Sequence, residues 1–163
     1  MSLSGSILVN LRASESGTLP VSGGLTALTT WEGLLTDGTT ANRADLAHKS
    51  LHTIAGVGNS DIDLRALLEV GGVAMTTLTE VVALVLENAG TGLLSIKPSA
   101  SNGWLGLLAD ATDVLKLQPG AKILLWAPGD GLYPVGALTK SINVANAAAT
   151  SAVLTLTLIG RSA

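Results

Sequence analysis

Two stretches decide the fold: Thr79–Asn88, which reads TEVVALVLEN, and Val153–Ile159, which reads VLTLTLI. In the second stretch leucine alternates with threonine, the period-2 pattern of a strand with one face in a core and one face outside it. In the first stretch both sets of alternate positions are apolar: Val81, Ala83 and Val85 on one face, and Val82, Leu84 and Leu86 on the other. A strand that is apolar on both faces is buried on both sides. We therefore expect an arm, a helix or another subunit to cover its second face.

Further short β-type runs, separated by Gly, Pro, Asn and Asp, flank these two stretches. No long helical pattern lies between them, so the spacing predicts an all-β, two-sheet antiparallel sandwich of nine or ten strands, with a barrel as the alternative closure. Arg65–Val70 is predicted to form one or two helical turns. The other predicted strands are Ser6–Leu11, one or two edge strands within Leu19–Trp31, Lys49–Ala55, Asp61–Leu64, Leu93–Ile96, Asp113–Leu117, Lys122–Ala127 and Leu138–Val144.

The composition changes near His48, where a Thr-, Gly- and Ser-rich segment gives way to regular strands. We interpret residues 1–47 as an extended N-terminal arm or appended hairpin and residues 48–163 as the sandwich. The first segment has too few apolar positions to form a core of its own, so we expect it to dock on a partner subunit.

Charge is scarce along the whole chain of 163 residues. Only 13% of the residues are charged, although 47% are hydrophobic, and an ordinary soluble domain carries about 25% charged residues. A surface so thinly charged fits a protein that packs against other copies or other proteins. The nine Lys and Arg residues form no basic stripe, which argues against nucleic-acid binding. Met1–Ser14 lacks a cationic start and is a poor signal peptide, and no apolar run is long enough for a transmembrane helix.

Candidate metal sites are weak. His48 and His52 are the only histidines, and on a strand their spacing of four places them on one face but roughly 13 Å apart, too far to share an ion. Asp61 and Asp63 could ligate a cation only with a third carboxylate such as Asp37 or Asp45. Turn and capping roles explain such residues more often. We predict no metal and no cofactor.

No catalytic pattern stands out either. The chain has no cysteine, no phosphate-loop motif and no nucleophile elbow, and the clusters at Gly56–Gly58 and Gly103–Gly106 are turns. A catalytic serine–histidine pair would form only if the fold happened to bring a serine next to one of the two histidines. Carboxylates that could pair for glycoside hydrolysis lack the aromatic residues of a sugar groove, since the chain has only four aromatic residues. We predict that the protein is not an enzyme. The carboxylates considered are Glu32, Glu69, Glu80 and Glu87.

A series of short motifs resembles small virion structural proteins of tailed bacteriophages. It begins with TDGTTANRAD at Thr36–Asp45, similar to a TDGTGANQAD stretch, and spans about residues 30 to 163. Each motif is short, and their order is the specific part. The later motifs are Asp61–Leu64, similar to EDLDL, the apolar strand Val81–Glu87, Ala100–Trp104, Gln118–Gly120, Ala127–Gly131 and the closing strand that ends at Leu158–Ala163.

The resemblance implies a jelly-roll-like sandwich without enzymatic activity, attached to the capsid surface and made in the host cytoplasm. Decoration (cement) proteins of this kind bridge major capsid subunits, often as homotrimers. A tail or head-fibre component, possibly a receptor- or carbohydrate-binding module, is the alternative. No membrane or nucleic-acid partner is implied. The candidate interface residues are Ile7, Val9, Leu11, Trp31 and Trp104, the last of which could equally fill a sandwich core.

Overall fold

The protein is all-β in the computed structural model. The structure describes the backbone of residues 5–15, 25–69 and 71–162, and side chains from residue 33 onward within those ranges. The described strands are β1 (Gly5–Glu15), β2 (Leu25–Asp37), β3 (Arg43–Ala44), β4 (Leu46–Ile54), β5 (Gly58–Asp63), β6 (Leu78–Asn88), β7 (Leu94–Pro98), β8 (Leu115–Leu117), β9 (Lys122–Trp126), β10 (Ser141–Asn146) and β11 (Ala152–Ser162).

Eight of these strands form two four-stranded sheets that pack face to face. One sheet has the order β4-β11-β6-β9 and the other the order β5-β10-β7-β8, and every pairing within them is antiparallel. The prediction of an all-β, two-sheet antiparallel sandwich is confirmed. The strands predicted between residues 49 and 159 correspond one to one to β4–β11, with ends that differ by a few residues.

The core lies between the two sheets and follows from the period-2 patterns. In β11, Leu154, Leu156 and Leu158 are completely buried, whereas the alternating Thr155 and Thr157 are half-buried on the outer side. Isoleucines and valines of the opposite sheet, such as Ile96 and Val144, complete the same cluster. Burial of these side chains supplies the main stabilisation of the sandwich.

A β-bulge changes the predicted faces of β6. Ile159 pairs with Ala83 but Gly160 pairs with Val81, so Val82 is an extra residue in its strand. Val81 therefore joins Leu84 and Leu86 in the main core, and Val82 lies in a second cluster on the outer side of the sheet. The expectation that Val82 shares a face with Leu84 and Leu86 was wrong, because the bulge inserts one residue into the alternation.

The predicted helical turns do not form in the part of Arg65–Val70 that the structure describes. Residues 64–66 form a turn, residue 67 lies in a bend, and Leu68 makes an isolated bridge to Ala74. The amide of Arg65 bonds to the carboxylate of Asp63, which starts a turn in place of a helix.

The N-terminal strands β1 and β2 form a long antiparallel hairpin, and β3 pairs with the end of β2 in parallel. The predicted strand Ser6–Leu11 lies within β1, and β2 continues beyond the predicted edge-strand region to Asp37. The division of the chain at residue 47 stays a prediction, and its boundary falls just inside β4.

Candidate functional site

The outer face of the sheet β4-β11-β6-β9 is turned away from the main core and carries two exposed leucines, Leu51 on β4 and Leu124 on β9. At one end of this face, Leu35 and Ala44 pack over Val82, together with Trp126 and Ile159. The segment that ends the hairpin thus covers part of β6 within the same chain. This supplies the cover that the two-sided apolar pattern predicts, but only at this end.

Beyond this covered end the face is open, and we call its eight residues the open face. They form two rows across the four strands: Lys49, Thr157, Val85 and Leu124 in the first row, and Leu51, Thr155, Glu87 and Lys122 in the second. Leu51 is 70% exposed and Leu124 is 40% exposed. Lys49 and Lys122 lie on the two edge strands, and Lys122 pairs at 3.0 Å with Glu87 on the central strand β6. The other three central positions are two threonines and a valine.

A buried arginine fixes the hairpin end against the sandwich. Arg161, on β11, is 1% exposed, and its Nη1 lies 2.6 Å from Oε2 of Glu80 and 3.0 Å from Oδ1 of Asp130. Its guanidinium also donates to the backbone carbonyls of Arg43, Pro128 and Gly129. One side chain thereby joins β3, β6, β11 and the loop after β9. The engagement of all three guanidinium nitrogens marks a structural role.

A second link on the same side comes from Asp45. Its carboxylate accepts hydrogen bonds from the backbone amide and the hydroxyl of Ser162. Because Asp45 is engaged in this way, it is not available to the cation site considered with Asp61 and Asp63.

The two aspartates of β5 are also engaged. Asp61 accepts a hydrogen bond from the Asn143 amide at 2.7 Å, and Asp63 pairs with Lys140 at 2.7 Å. Among the described residues, no group of three or more His, Asp or Glu side chains is placed to hold a metal ion. The carboxylates of Glu80 and Glu87 each form a salt bridge with a basic side chain, Arg161 and Lys122 respectively.

The two histidines lie closer than their spacing on the strand indicates. His48, Ser50 and His52 share the inner face of β4, and Nε2 of each histidine is 2.7 Å from Oγ of Ser50. His48 is 6% exposed and its Nδ1 bonds to the carbonyl of Leu68 at 2.5 Å. The estimate of about 13 Å applies to the backbone, whereas the rings lean toward the serine between them. The alternation H-x-S-x-H was the sequence signal for this arrangement.

Trp104 belongs to the core, the second of the two alternatives considered for it. It is 2% exposed, its Nε1 donates to the carbonyl of Pro134 at 3.0 Å, and its ring centroid lies 6.4 Å from that of Tyr133. In this arrangement the ring is not available as an exposed anchor.

The other candidate interface residues lie on the hairpin. Val9 pairs directly with Trp31, Ile7 with Gly33, and Leu11 with Thr29. Their side chains lie outside the described part of the structure, so their interface role stays a prediction.

Comparisons with known proteins give a weak structural similarity, from which neither fold nor function follows. No family model matches the chain, and no curated protein matches it. Among solved structures, the chain is similar to a crystal structure of PirA, with 17% identity over 68% of this chain and 93% of that chain, at a TM-score of 0.40. No helix that could cross a bilayer occurs in the described residues.

Proposed function

We propose that this chain is a non-enzymatic structural protein of a tailed-phage virion, which decorates the capsid surface by bridging major capsid subunits as a homotrimer. The observation that carries the proposal is the open face, an extended sheet surface whose two edge strands each present an exposed leucine, Leu51 on β4 and Leu124 on β9. Exposed apolar surface of this kind is typical of protein–protein contact sites. The ordered phage-like motifs supply the class of partner.

The hairpin supports the same proposal. A two-stranded hairpin is marginally stable on its own in water, and β1 pairs only with β2 among the described strands. With eleven residues in β1, the hairpin is about 35 Å long. It is long enough to reach a neighbouring subunit, whose contact would stabilise it.

The connectivity supports the jelly-roll part of the proposal. Eight strands divide equally between two sheets, and β10 and β11 each lie between two strands that precede them in the chain. Jelly rolls combine eight strands in two sheets through two such Greek-key connections. Most connections in this sandwich cross from one sheet to the other, as that arrangement requires.

The carbohydrate-binding alternative has less support. Sugar sites present exposed aromatic rings, yet Trp104 is buried, and Trp126 and Tyr133 are half-buried against apolar neighbours. The open face carries no aromatic residue, and its exposed leucines, Leu51 and Leu124, suit a protein partner better than a glycan.

The experiment that tests the proposal locates the protein in a reconstruction of the whole particle and measures its binding to capsids stripped of it. We expect density on the capsid surface, a trimer by light scattering, and loss of binding in Leu51→Asp. Leu138→Asp is the matched control, since Leu138 is 76% exposed in the segment between β9 and β10, away from the open face. A location on the tail alone, or a monomer without affinity for capsids, would contradict the proposal.

A second variant tests the hairpin. Deletion of residues 2–30 keeps Leu35 and Ala44, so we expect a soluble sandwich that no longer joins the capsid. Incorporation at the level of the full chain would show that the hairpin is not part of the interface.

A further inference from the structure

One edge of the sandwich, formed by β4, has the features of an edge that accepts a further strand. Four strands lie at the edges of the two sandwich sheets, and β4 is the longest with nine residues, whereas β5, β8 and β9 have six, three and five. The pairing of β4 with β11 has no bulge, and β4 contains no proline. Long, regular edge strands present unpaired backbone groups to another chain. Among the described strands, none lies on the outer side of β4.

The hydrogen-bond pattern shows which residues of β4 face this edge. In an antiparallel ladder the backbone groups of successive residues point alternately to the two sides of a strand. The amide of Ala89 donates to the carbonyl of Val153, so the odd-numbered residues of β11 bond to β6 and the even-numbered residues bond to β4. The register then directs the backbone groups of the even-numbered residues of β4 toward β11. The amides and carbonyls of Lys49, Leu51 and Thr53 therefore point outward.

This edge has room for side chains on both of its sides. On the inner side lies a groove of about 610 Å³ between β4 and the segment 66–72, in which Leu68 is 53% exposed. On the outer side, Leu51 is 70% exposed. An added strand sends alternate side chains to the two sides, so one set enters the groove and the other lies beside Leu51. Free backbone groups and pockets for alternate side chains are the two elements of a strand-addition site.

We propose that the edge of β4 binds strand β1 of a second copy of this chain, in antiparallel pairing. β1 has eleven residues and, among the described strands, pairs only with β2. Its other side is therefore a second unpaired edge, and its length matches that of β4. The inference rests on the homotrimer of the proposed function and explains how its subunits are joined, but it does not require a capsid.

The patterns of the two strands fit each other in this pairing. The amide of Thr36 donates to the carbonyl of Asn42 in β3's direction, so the odd-numbered residues of β2 bond to β1, and the register leaves the even-numbered residues of β1 at its free edge. Directly paired residues share a face of the sheet, so these even-numbered residues join Leu51 on the outer side. The odd-numbered residues enter the groove and cover Leu68. They include the candidate interface residues Ile7, Val9 and Leu11.

The symmetry of the contact favours β1 over β4 as the partner of β4. A contact between two different edges is heterologous, and it closes into a ring when the rotation between copies allows. Three copies can be joined in this way. Pairing of β4 with β4 of a second copy would be isologous and would join the copies in twos.

Cross-linking of two single-cysteine variants tests the pairing, because the chain has no cysteine of its own. Leu8→Cys, in β1, is mixed with ¹⁵N-labelled Leu51→Cys, in β4, and treated with a short bis-maleimide. Adjacent strands lie about 4.8 Å apart, so we expect linked pairs of one labelled and one unlabelled chain. Val114→Cys replaces Leu51→Cys in the control and should not link to Leu8→Cys, because Val114 is exposed just before β8, an edge strand of the other sheet.

A proline in the edge gives a second test, with light scattering as the measurement. Lys49→Pro removes an amide that points outward, and edge strands accept proline at such positions, so the pairing with β11 is retained. Lys49→Thr is the matched control, because threonine keeps the amide and suits a strand. At a concentration at which the unaltered chain is a trimer, we expect Lys49→Thr to be a trimer and Lys49→Pro to be a monomer.

Three results would overturn the inference: a trimer without links between β1 and β4, links between two Leu51→Cys chains in place of mixed links, or a folded Lys49→Pro variant that still forms the trimer. If Lys49→Pro does not fold, the cross-links decide. A monomer that binds capsids would overturn the inference and leave the capsid location standing. Linked trimers without affinity for capsids would support the strand pairing and contradict the capsid role.

Discussion

Arg161 and Glu80 face each other across neighbouring strands, with Nη1 and Oε2 2.6 Å apart and both side chains withdrawn from solvent. The two residues are directly paired in the β6–β11 register, at the end of the sheet where the hairpin joins the sandwich. The second oxygen of Glu80 accepts the amide of Leu132, so the carboxylate also fixes the loop after β9. The pair is thus the centre of the junction between three segments.

Replacing Arg161 with methionine should destabilise the protein strongly. Removal of one partner of a buried ion pair leaves an uncompensated charge and costs about 3–5 kcal/mol. Lys122→Met is the matched control, because Lys122 is exposed and its pair with Glu87 is worth at most about 1 kcal/mol. Urea unfolding measures the free energy of unfolding of both variants. An equal loss of stability in Arg161→Met and Lys122→Met would contradict the central role of Arg161.

Replacing Trp104 with alanine should lower the free energy of unfolding by about 3–5 kcal/mol, as for other large core residues. The ring fills the core, and its N–H satisfies the Pro134 carbonyl. Chemical unfolding measures the loss. A variant of normal stability that failed only to assemble would show that Trp104 acts at an interface.

Replacing Val57 with asparagine should stabilise the protein. Val57 has a φ of 51°, in the left-handed region, where a β-branched residue is strained. Asparagine visits this region more readily, and the strain is about 1–2 kcal/mol per residue, so we expect a gain of about 1 kcal/mol. Val73→Asn is the control, since Val73 is also exposed but lacks a positive φ. A loss of stability at Val57 would contradict the prediction.

Acidification should destabilise the protein through His52. Because the pKa of His52 is lowered in the folded state, the unfolded chain binds a proton more readily. The stability that neutral His52 contributes is fully present above the pKa of about 6.5 that it has in the unfolded chain. This stability is lost as the pH falls toward the lower pKa of His52 in the folded protein. Thermal melting from about pH 7.5 to about pH 5 measures the effect. In His52→Gln the melting temperature should change less over this pH range. An unchanged dependence of the melting temperature on pH would assign the effect to other groups.

The strands could be predicted from the sequence because alternation is a local signal. The pattern of β11 shows which of its residues lie in the core, and the structure places Leu154, Leu156 and Leu158 there. The bulge in β6 could not be predicted in this way. It depends on the pairing of Gly160 with Val81, and a β-carbon on Gly160 would lie 2.3 Å from the Leu78 side chain.

The side-chain clusters depend on contacts between distant parts of the chain. Arg161 and Glu80 are 81 residues apart, although a charged residue within each apolar strand is a signal that they pair. The His48–Ser50–His52 cluster follows from ring orientation, which spacing alone does not give. Trp104 is buried because the segment around Pro134 folds over it.

The position of β11 between β4 and β6 has a consequence for how quickly the molecule can form. Pairing of β11 with β4 closes a loop of roughly a hundred residues, and β10 likewise inserts between two earlier strands. Chains dominated by such distant pairings fold in milliseconds to seconds, more slowly than helical bundles. Until β11 inserts, β4 and β6 each expose an unpaired strand edge, which is the state most prone to aggregation.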